Sequence, residues 1–541
     1  MSVRRWSVGG VLVMGVLAWL VVYPIAIVAR EAADGAAIGA FVRSSSEWRA
    51  LWGSLWISLA SVGLAAAIGV PLAFLFEGID FPGRRVLGAL VALPAVLPPL
   101  VGVIAFLFLY GESGFLSRVV QAAFGLSAAP WRLQGPGAIL LVHAYSMYVY
   151  FYLLVRAGLA TRDASMLEAA QALGAGRWAA LTRVTLPLLR SSLAGAALLT
   201  FMTALGSFSA PYVFGGAFRL MPTQIVASKL NGDLSRAMVE TTALAALAIA
   251  ALALLRRTEG EDVLVALGKG TGPRRRELRG RWTRALATSA GWLLAAILLL
   301  PHLTLILVSL VPYASWTTEA FPPVLSTANY ARLFSETERL RPLLNSLWMA
   351  AASTAGAVAF AVLGAWYIVR RRVAIRAAIE ALLVLPWALP GTVFAIALAT
   401  MLAVARPFAL RWVLVGTAAM LPLAYLVRNL PIAGRAMLAG FRQLDPALEE
   451  AAGSLGAGRM RTFRRVTLPL LRPALAAGAT LAFVTALGDF VTSIVLYTYD
   501  TRPISMEILS SLRLNELGVA AAFGVVLMGM SAAVLALGAR R

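Results

Sequence analysis

Glu168 to Arg190 reads EAAQALGAGRWAALTRVTLPLLR, and Glu450 to Arg472 reads EAAGSLGAGRMRTFRRVTLPLLR. Sixteen of these 23 positions are identical, at a constant offset of 282. Agreement of that length inside one chain marks an internal repeat. The register persists into Thr203-Ala204-Leu205-Gly206, which aligns with Thr485-Ala486-Leu487-Gly488. Upstream, Leu93-Pro94-Ala95-Val96-Leu97-Pro98-Pro99 matches Leu385-Pro386-Trp387-Ala388-Leu389-Pro390-Gly391 at offset 292, as Gly53-Ser54-Leu55-Trp56 matches Asn345-Ser346-Leu347-Trp348. The change of offset predicts a loop about ten residues shorter in the second copy.

The material between these landmarks is apolar. Hydrophobic side chains make up 60% of the 541 residues and charged ones 13%, against about 45–50% and about 25% in soluble domains. A helix crossing the hydrocarbon core needs about 20 apolar residues. Twelve stretches qualify: roughly 9–29, 52–76, 86–110, 138–156, 187–208 and 238–255, then 285–311, 345–369, 378–405, 411–430, 473–497 and 517–537. The first follows Arg4 and Arg5 as a signal peptide would, but it is long enough to span and lacks a small-residue cleavage site, so it reads as a retained helix. The expected fold is all-α: a polytopic membrane protein of about 12 transmembrane helices in two parallel six-helix repeats. Six is an even number, so both copies point the same way. The expected boundaries are 1–258 for the first half, 259–281 for a polar linker rich in Gly and Arg, and 282–541 for the second half.

With the N-terminus in the cytoplasm, most Lys and Arg fall in inner segments, while Asp and Glu divide about evenly. Arg370 to Arg372 mark one inner loop, and Arg274, Arg275, Arg276, Arg279, Arg281 and Arg284 mark another. That is the positive-inside pattern. It accounts for the net charge of +22 without nucleic acid, although a basic run of this kind also suits anionic lipid head groups. Zero cysteines exclude disulfides and thiolate chemistry, and two histidines leave little for a metal centre; no metal site is expected.

The repeated stretch falls in the cytoplasm between the fourth and fifth spans of each half. Asp163 and Asp445 stand ahead of helical segments, where a carboxylate favours the N-terminus. Gly174 and Gly456 are placed to end a short helix, since glycine adopts left-handed angles freely. A second short helix runs to Pro187 and Pro469, which suit the first turn of the next membrane helix. Each half thus carries a helix–turn–helix elbow, shaped to seat in a groove on a partner.

Glu-Ala-Ala-x3-Gly-x9-Val-x-Leu-Pro at 168–187, and again at 450–469, resembles the EAA loop of bacterial ABC importer permeases, the inner-membrane components of binding-protein-dependent transport systems. Val184 and Val466 stand where Ile is usual. The resemblance implies that each elbow docks on a cytoplasmic ATPase subunit, two copies in all. Glu168, Ala169, Ala170 and Gly174, with Glu450, Ala451, Ala452 and Gly456, would be the coupling residues. It also implies an extracytoplasmic solute-binding protein and a place in the bacterial inner membrane, with both termini cytoplasmic. No G-x-x-x-x-G-K-[ST] phosphate loop occurs. The chain is therefore expected to be a translocation subunit without cofactor, ATP and Mg being held by the partner.

Charged groups within spans are functional by default. Asp489 lies in the eleventh span, opposite Ser207 of the first copy. His143 and Tyr148 stand among Tyr145, Tyr150 and Tyr152 in the fourth. These four are the candidate pathway residues, against a plainer reading as packing, interfacial belt or arginine-paired carboxylate. His302 has no evident partner. The proline clusters break helices, as often happens beside transport sites. Fused chains of this kind resemble ferric iron and thiamine permeases, with ferric iron the best reading; polyamine and aminophosphonate permeases share the loop. A secondary transporter also has two parallel halves, but it needs ion-coupling carboxylates and has no use for twin elbows. A membrane enzyme lacks a constellation here.

Overall fold

The computed structural model describes residues 8–96, 98–161, 164–258, 276–277, 280–313, 315–316, 319–370 and 375–539. Asp163, most of the linker, Arg371 and Arg372 lie outside the described residues. The described residues are helical almost throughout; the one strand pairing among them is two residues wide, Ile79–Asp80 beside Arg276–Glu277 in parallel.

Among the described residues, eight helices are long and apolar enough to cross a membrane, and three bent pairs raise the number to 11. A further helix, Met420–Gln443, has 24 residues, about 36 Å at 1.5 Å per residue. Arg428, Asn429, Arg435 and Arg442 make it more polar than the other spans. By length alone it would make a twelfth span, at the place of the tenth expected one.

Several boundaries need correction. The tenth span does not begin at 411: Leu410, Arg411 and Gly416 take positive φ, and the helix begins at Met420. The third and ninth stretches are not continuous helices. Arg84–Val91 and Pro99–Tyr110 are separated by a 3-10 turn at Leu93–Val96. Arg376–Ala388 and Gly391–Leu402 meet at 110°. Prolines in these turns remove amide donors and cannot continue the helix. The eleventh stretch is not one helix either: Arg472–Leu487 ends two residues before Asp489, and Val491–Leu496 starts afresh.

Within each half the second and fourth spans pack along their lengths: Ser45–Gly78 on Gly135–Thr161, and Thr337–Val369 on Met420–Gln443. The first span of each half crosses over. Val8–Glu31 packs on Arg376–Val384 and Gly391–Leu402 of the second half, while Arg281–Ser309 packs on Arg84–Val91 and Pro99–Tyr110 of the first. Trp19 Nε1 donates to Phe408 O at 2.7 Å, and Tyr145 Oη to Leu298 O at 2.7 Å, across those seams. Tyr145 also gives His302 a partner, at 3.3 Å from Nδ1. The two chain halves are therefore interlocked.

The repeated Ser-Leu-Trp has a structural use. Ser54 Oγ accepts from the Met221 amide at 2.8 Å, and Ser346 Oγ accepts from the Ile504 amide at 2.8 Å. Each serine thereby satisfies the first amide of a short buried helix, Met221–Leu230 or Ile504–Arg513. Replacing both by alanine is expected to cost about 1–2 kcal/mol per site, read as a lower melting temperature of the purified protein. An unchanged melting temperature would mean that other groups satisfy these amides.

Loops expected on one face share a face. Arg370 Nε lies 3.2 Å from Glu449 Oε2, and Arg370 Nη2 donates to Leu444 O at 2.7 Å. At the other end Asn345 Nδ2 donates to Asp500 O at 2.9 Å, and Arg332 meets Glu516 at 3.1 Å.

Candidate functional site

Two regions concentrate the repeated residues: the paired elbows at one end and the meeting of the halves in the middle. In the second elbow Asp445 caps Pro446–Ser454 by accepting from the Ala447 amide at 2.9 Å. In the first, the helix is Ala164–Ala172. Gly174 and Gly456 have φ of +84° and +78°, the left-handed turn that reverses each elbow. Short helices follow at Arg177–Ala180 and Arg459–Thr462, each continuing into a π-helical turn, Leu181–Thr185 or Phe463–Thr467. Pro187 and Pro469 then begin a three-residue turn rather than the membrane helix. The membrane helix starts at Arg190 or Arg472, after bends of 65° and 68°.

Glu168, Ala169 and Gly174 are exposed, as are Glu450, Ala451 and Gly456; Ala170 and Ala452 are half-buried. Beside them stand large apolar side chains facing outward at matched positions. Leu173 and Leu455 are each 89% exposed, Trp178 and Met460 are 76% and 64% exposed, and Met166 and Leu448 are also exposed. All three pairs keep the offset of 282. Apolar groups presented twice in this way, outside the spans, are what an interface core uses. The second elbow has a tie the first lacks: Glu449, bonded to Arg370 and to Thr467 Oγ1 at 2.8 Å, corresponds to Leu167.

In the middle the repeat closes on itself. Phe208 and Phe490, equivalent at offset 282, have ring centroids 5.6 Å apart and are 1% and 2% exposed. A side-chain carbon on Gly206 would lie 3.4 Å from Pro390 Cα, and one on Gly488 would lie 2.7 Å from Pro98 Cβ. Each Gly-[Ser/Asp]-Phe turn thus sits on the proline break of the opposite half. Further out, Lys229 Nζ reaches the Val495 carbonyl and Arg513 the Tyr212 hydroxyl, again from one half to the other.

The candidate pathway residues divide. His143 and Ser207 come together: His143 Nε2 is 2.9 Å from Ser207 Oγ, and Nδ1 is 2.8 Å from Ser61 Oγ. Asp489 sits at the corresponding turn of the second half. Its Oδ2 is 2.6 Å from Arg428 Nη1, its Oδ1 accepts from the Thr492 amide at 2.8 Å, and its side chain is 5% exposed. Both sites flank the Phe208–Phe490 contact in sequence. Tyr148 does not join them. It is fully buried and donates to Val91 O at 2.5 Å, so it braces the broken third span.

Sequence patterning did not single out Phe208, Phe490 or Arg428. The repeat carried the signal for the phenylalanines, because equivalent residues near a pseudo-twofold axis meet. Arg428 lies 61 residues from its carboxylate. Asp489→Asn is expected to lower solute uptake several-fold while the permease still assembles with an ATPase, because Arg428 loses its counter-ion in a buried setting. Uptake equal to wild type would remove Asp489 from the pathway.

The family model for the binding-protein-dependent transport system inner membrane component matches residues 65–257 and, a second time, 357–539. A probable ABC transporter permease protein of Sinorhizobium fredii is 30% identical over 510 residues, 93% of this chain and 89% of that protein. The ferric transport system permease protein FbpB of Actinobacillus pleuropneumoniae is 27% identical over 451 residues, 82% of this chain but 64% of its own length. The molybdenum transport system permease protein ModB of Escherichia coli K12 is 34% identical over 177 residues, 32% of this chain and 74% of that protein.

Proposed function

The chain belongs to the binding-protein-dependent transport system inner membrane components, and from that premise we propose that it moves ferric iron from an extracytoplasmic binding protein into the cytoplasm by alternating access. The coarser statement stands on the family itself. This is a multi-pass inner-membrane protein and an ABC importer permease, a translocation subunit whose ATP hydrolysis belongs to a separate ATPase. The observation that carries the mechanism is the duplication of an exposed apolar elbow at 166–178 and 448–460.

In this reading the cytoplasm bathes the elbows and both termini. One ATPase copy seats on each elbow through Leu173, Trp178 and Glu168 or through Leu455, Met460 and Glu450, and ATP with Mg binds there, on the partner. Closure of the two ATPases draws the elbows together. The bend and π-helical turn after each elbow pass that movement to Arg190–Leu205 and Arg472–Leu487. These two helices end in the Gly-[Ser/Asp]-Phe turns, so the movement parts Phe208 from Phe490. The aromatic contact is the closed point of the pathway, with Asp489–Arg428 and His143–Ser207 as its polar flanks.

The choice of iron rests on coverage. Two ferric permeases match over 82% and 76% of this chain, whereas the molybdenum permease of Escherichia coli matches over 32%. A two-half architecture is thus shared with the ferric group. Titration of the cognate binding protein with ferric citrate, molybdate, thiamine and putrescine tests the cargo. Ferric iron is the expected ligand. Tight molybdate binding without ferric binding overturns the cargo and leaves the importer assignment in place.

A further inference from the structure

A shallow cavity of about 780 Å3 opens at the start of the Arg281–Ser309 helix. Arg281, Arg284, Thr288, Ser289 and Trp292 line it from one side, and Pro82 of the first half closes the other. Steps of three and four residues put the helix residues on one face. Eleven residues separate Arg281 from Trp292, about 16 Å along the axis. Two guanidinium groups therefore stand at the end of a span and an indole stands one layer deeper. The Thr288 and Ser289 hydroxyls between them donate to their own helix, at 2.9 Å to Arg284 O and 3.1 Å to Leu286 O.

The same face continues into the membrane as Ala296, Leu300 and Leu303, all exposed. The cavity also lies on a seam. Gly291 is pressed against the first half so closely that a side-chain carbon there would meet Leu87 Cδ1 at 3.0 Å and Phe81 Cε2 at 3.4 Å. Basic groups, an interfacial tryptophan and an apolar track follow one another in the order in which a phospholipid presents phosphate, glycerol and acyl chain.

We propose that this cavity binds the phosphate headgroup of an anionic phospholipid, held between Pro82 of the first half and the first helix of the second. Guanidinium groups suit phosphate oxygens because their planar donors bond in pairs. The bound lipid staples the seam where Arg281–Ser309 crosses onto the other half. Which leaflet supplies it follows from the orientation proposed above; the binding itself requires only that this chain is a membrane protein.

Native mass spectrometry of the purified full-length permease, equilibrated with equal amounts of phosphatidylglycerol and phosphatidylcholine, tests the proposal. The wild type is expected to retain phosphatidylglycerol selectively. Each basic residue at an anionic surface contributes about fivefold, so Arg281→Gln with Arg284→Gln weakens retention about thirty-fold. Ser289→Asp, which sets a carboxylate in the cavity and keeps both arginines, weakens it as well. All three positions are exposed, so elution volume, and melting temperature in detergent without added lipid, should not change. Equal retention of the two lipids by the wild type, or undiminished phosphatidylglycerol on either variant, overturns the proposal. Displacement of the lipid by millimolar inorganic phosphate makes this a simple anion site and overturns the lipid assignment. Stimulated ATPase activity of the same preparation reads the importer assignment independently.

Discussion

Glu168→Lys combined with Glu450→Lys is expected to abolish ATPase activity stimulated by the loaded binding protein while the permease keeps its melting temperature. Both glutamates are exposed, so reversing their charge costs little within the chain. At an interface the change is larger. Truncating a hot-spot contact costs about 2 kcal/mol or more, and a reversed charge adds repulsion and an unpaired buried ion. In the proposed arrangement of one motor per elbow, two such changes remove the grip on both ATPase copies. Each single variant retains one gripped motor and part of the stimulation, so the loss in the double variant exceeds that in either alone. Leu173→Asp with Leu455→Asp should reproduce it, since each leucine is 89% exposed and has no packing to lose. Coupled turnover at the wild-type rate in the glutamate pair, with both ATPase copies retained on size exclusion, contradicts the elbow assignment.

The elbows were legible because their signals are local. A glycine that ends a short helix, an aspartate that caps one and a proline that starts a turn act over a few residues, and the second copy repeats the message. Even there Pro187 and Pro469 fell one turn short of the membrane helix, because a kink at Leu189 or Leu471 intervenes. The tenth span was misplaced for another reason. Residues 412–415 are apolar, but Trp412 and Val413 are exposed in a loop with positive φ just before them, at Leu410 and Arg411. Hydropathy does not separate an exposed apolar loop from a helix. Neighbour relations were out of reach altogether: nothing in a span's composition says that Val8–Glu31 docks on the opposite half. The same limit hid Arg428 from Asp489, which only the folded chain brings together, whereas the repeat itself marked Phe208 and Phe490 as equivalent.

That last contact makes the strongest test of the pathway. Phe208→Ala with Phe490→Ala is expected to raise ATP hydrolysis in the absence of binding protein about two- to tenfold and to admit solute without ATP in proteoliposomes. The two rings close the middle of the molecule, and an aromatic pair adds about 0.5–1.5 kcal/mol to the burial of its faces. In the proposed gating, this contact together with the Gly206–Pro390 and Gly488–Pro98 seats holds the closed form. Removing the rings therefore shifts the population toward open forms by a free energy near that scale, and each 1.4 kcal/mol is tenfold. Large-to-small changes at buried positions also destabilise by about 3–5 kcal/mol each. A second variant therefore separates gating from folding. Phe208→Cys with Phe490→Cys places the only two thiols in a chain that has none. Bridging them with a short thiol-reactive linker should stop uptake, and a linker cleaved by reductant should restore it. Uptake that continues through the bridged pair shows that the halves need not part there, and the pathway must then be sought elsewhere between them.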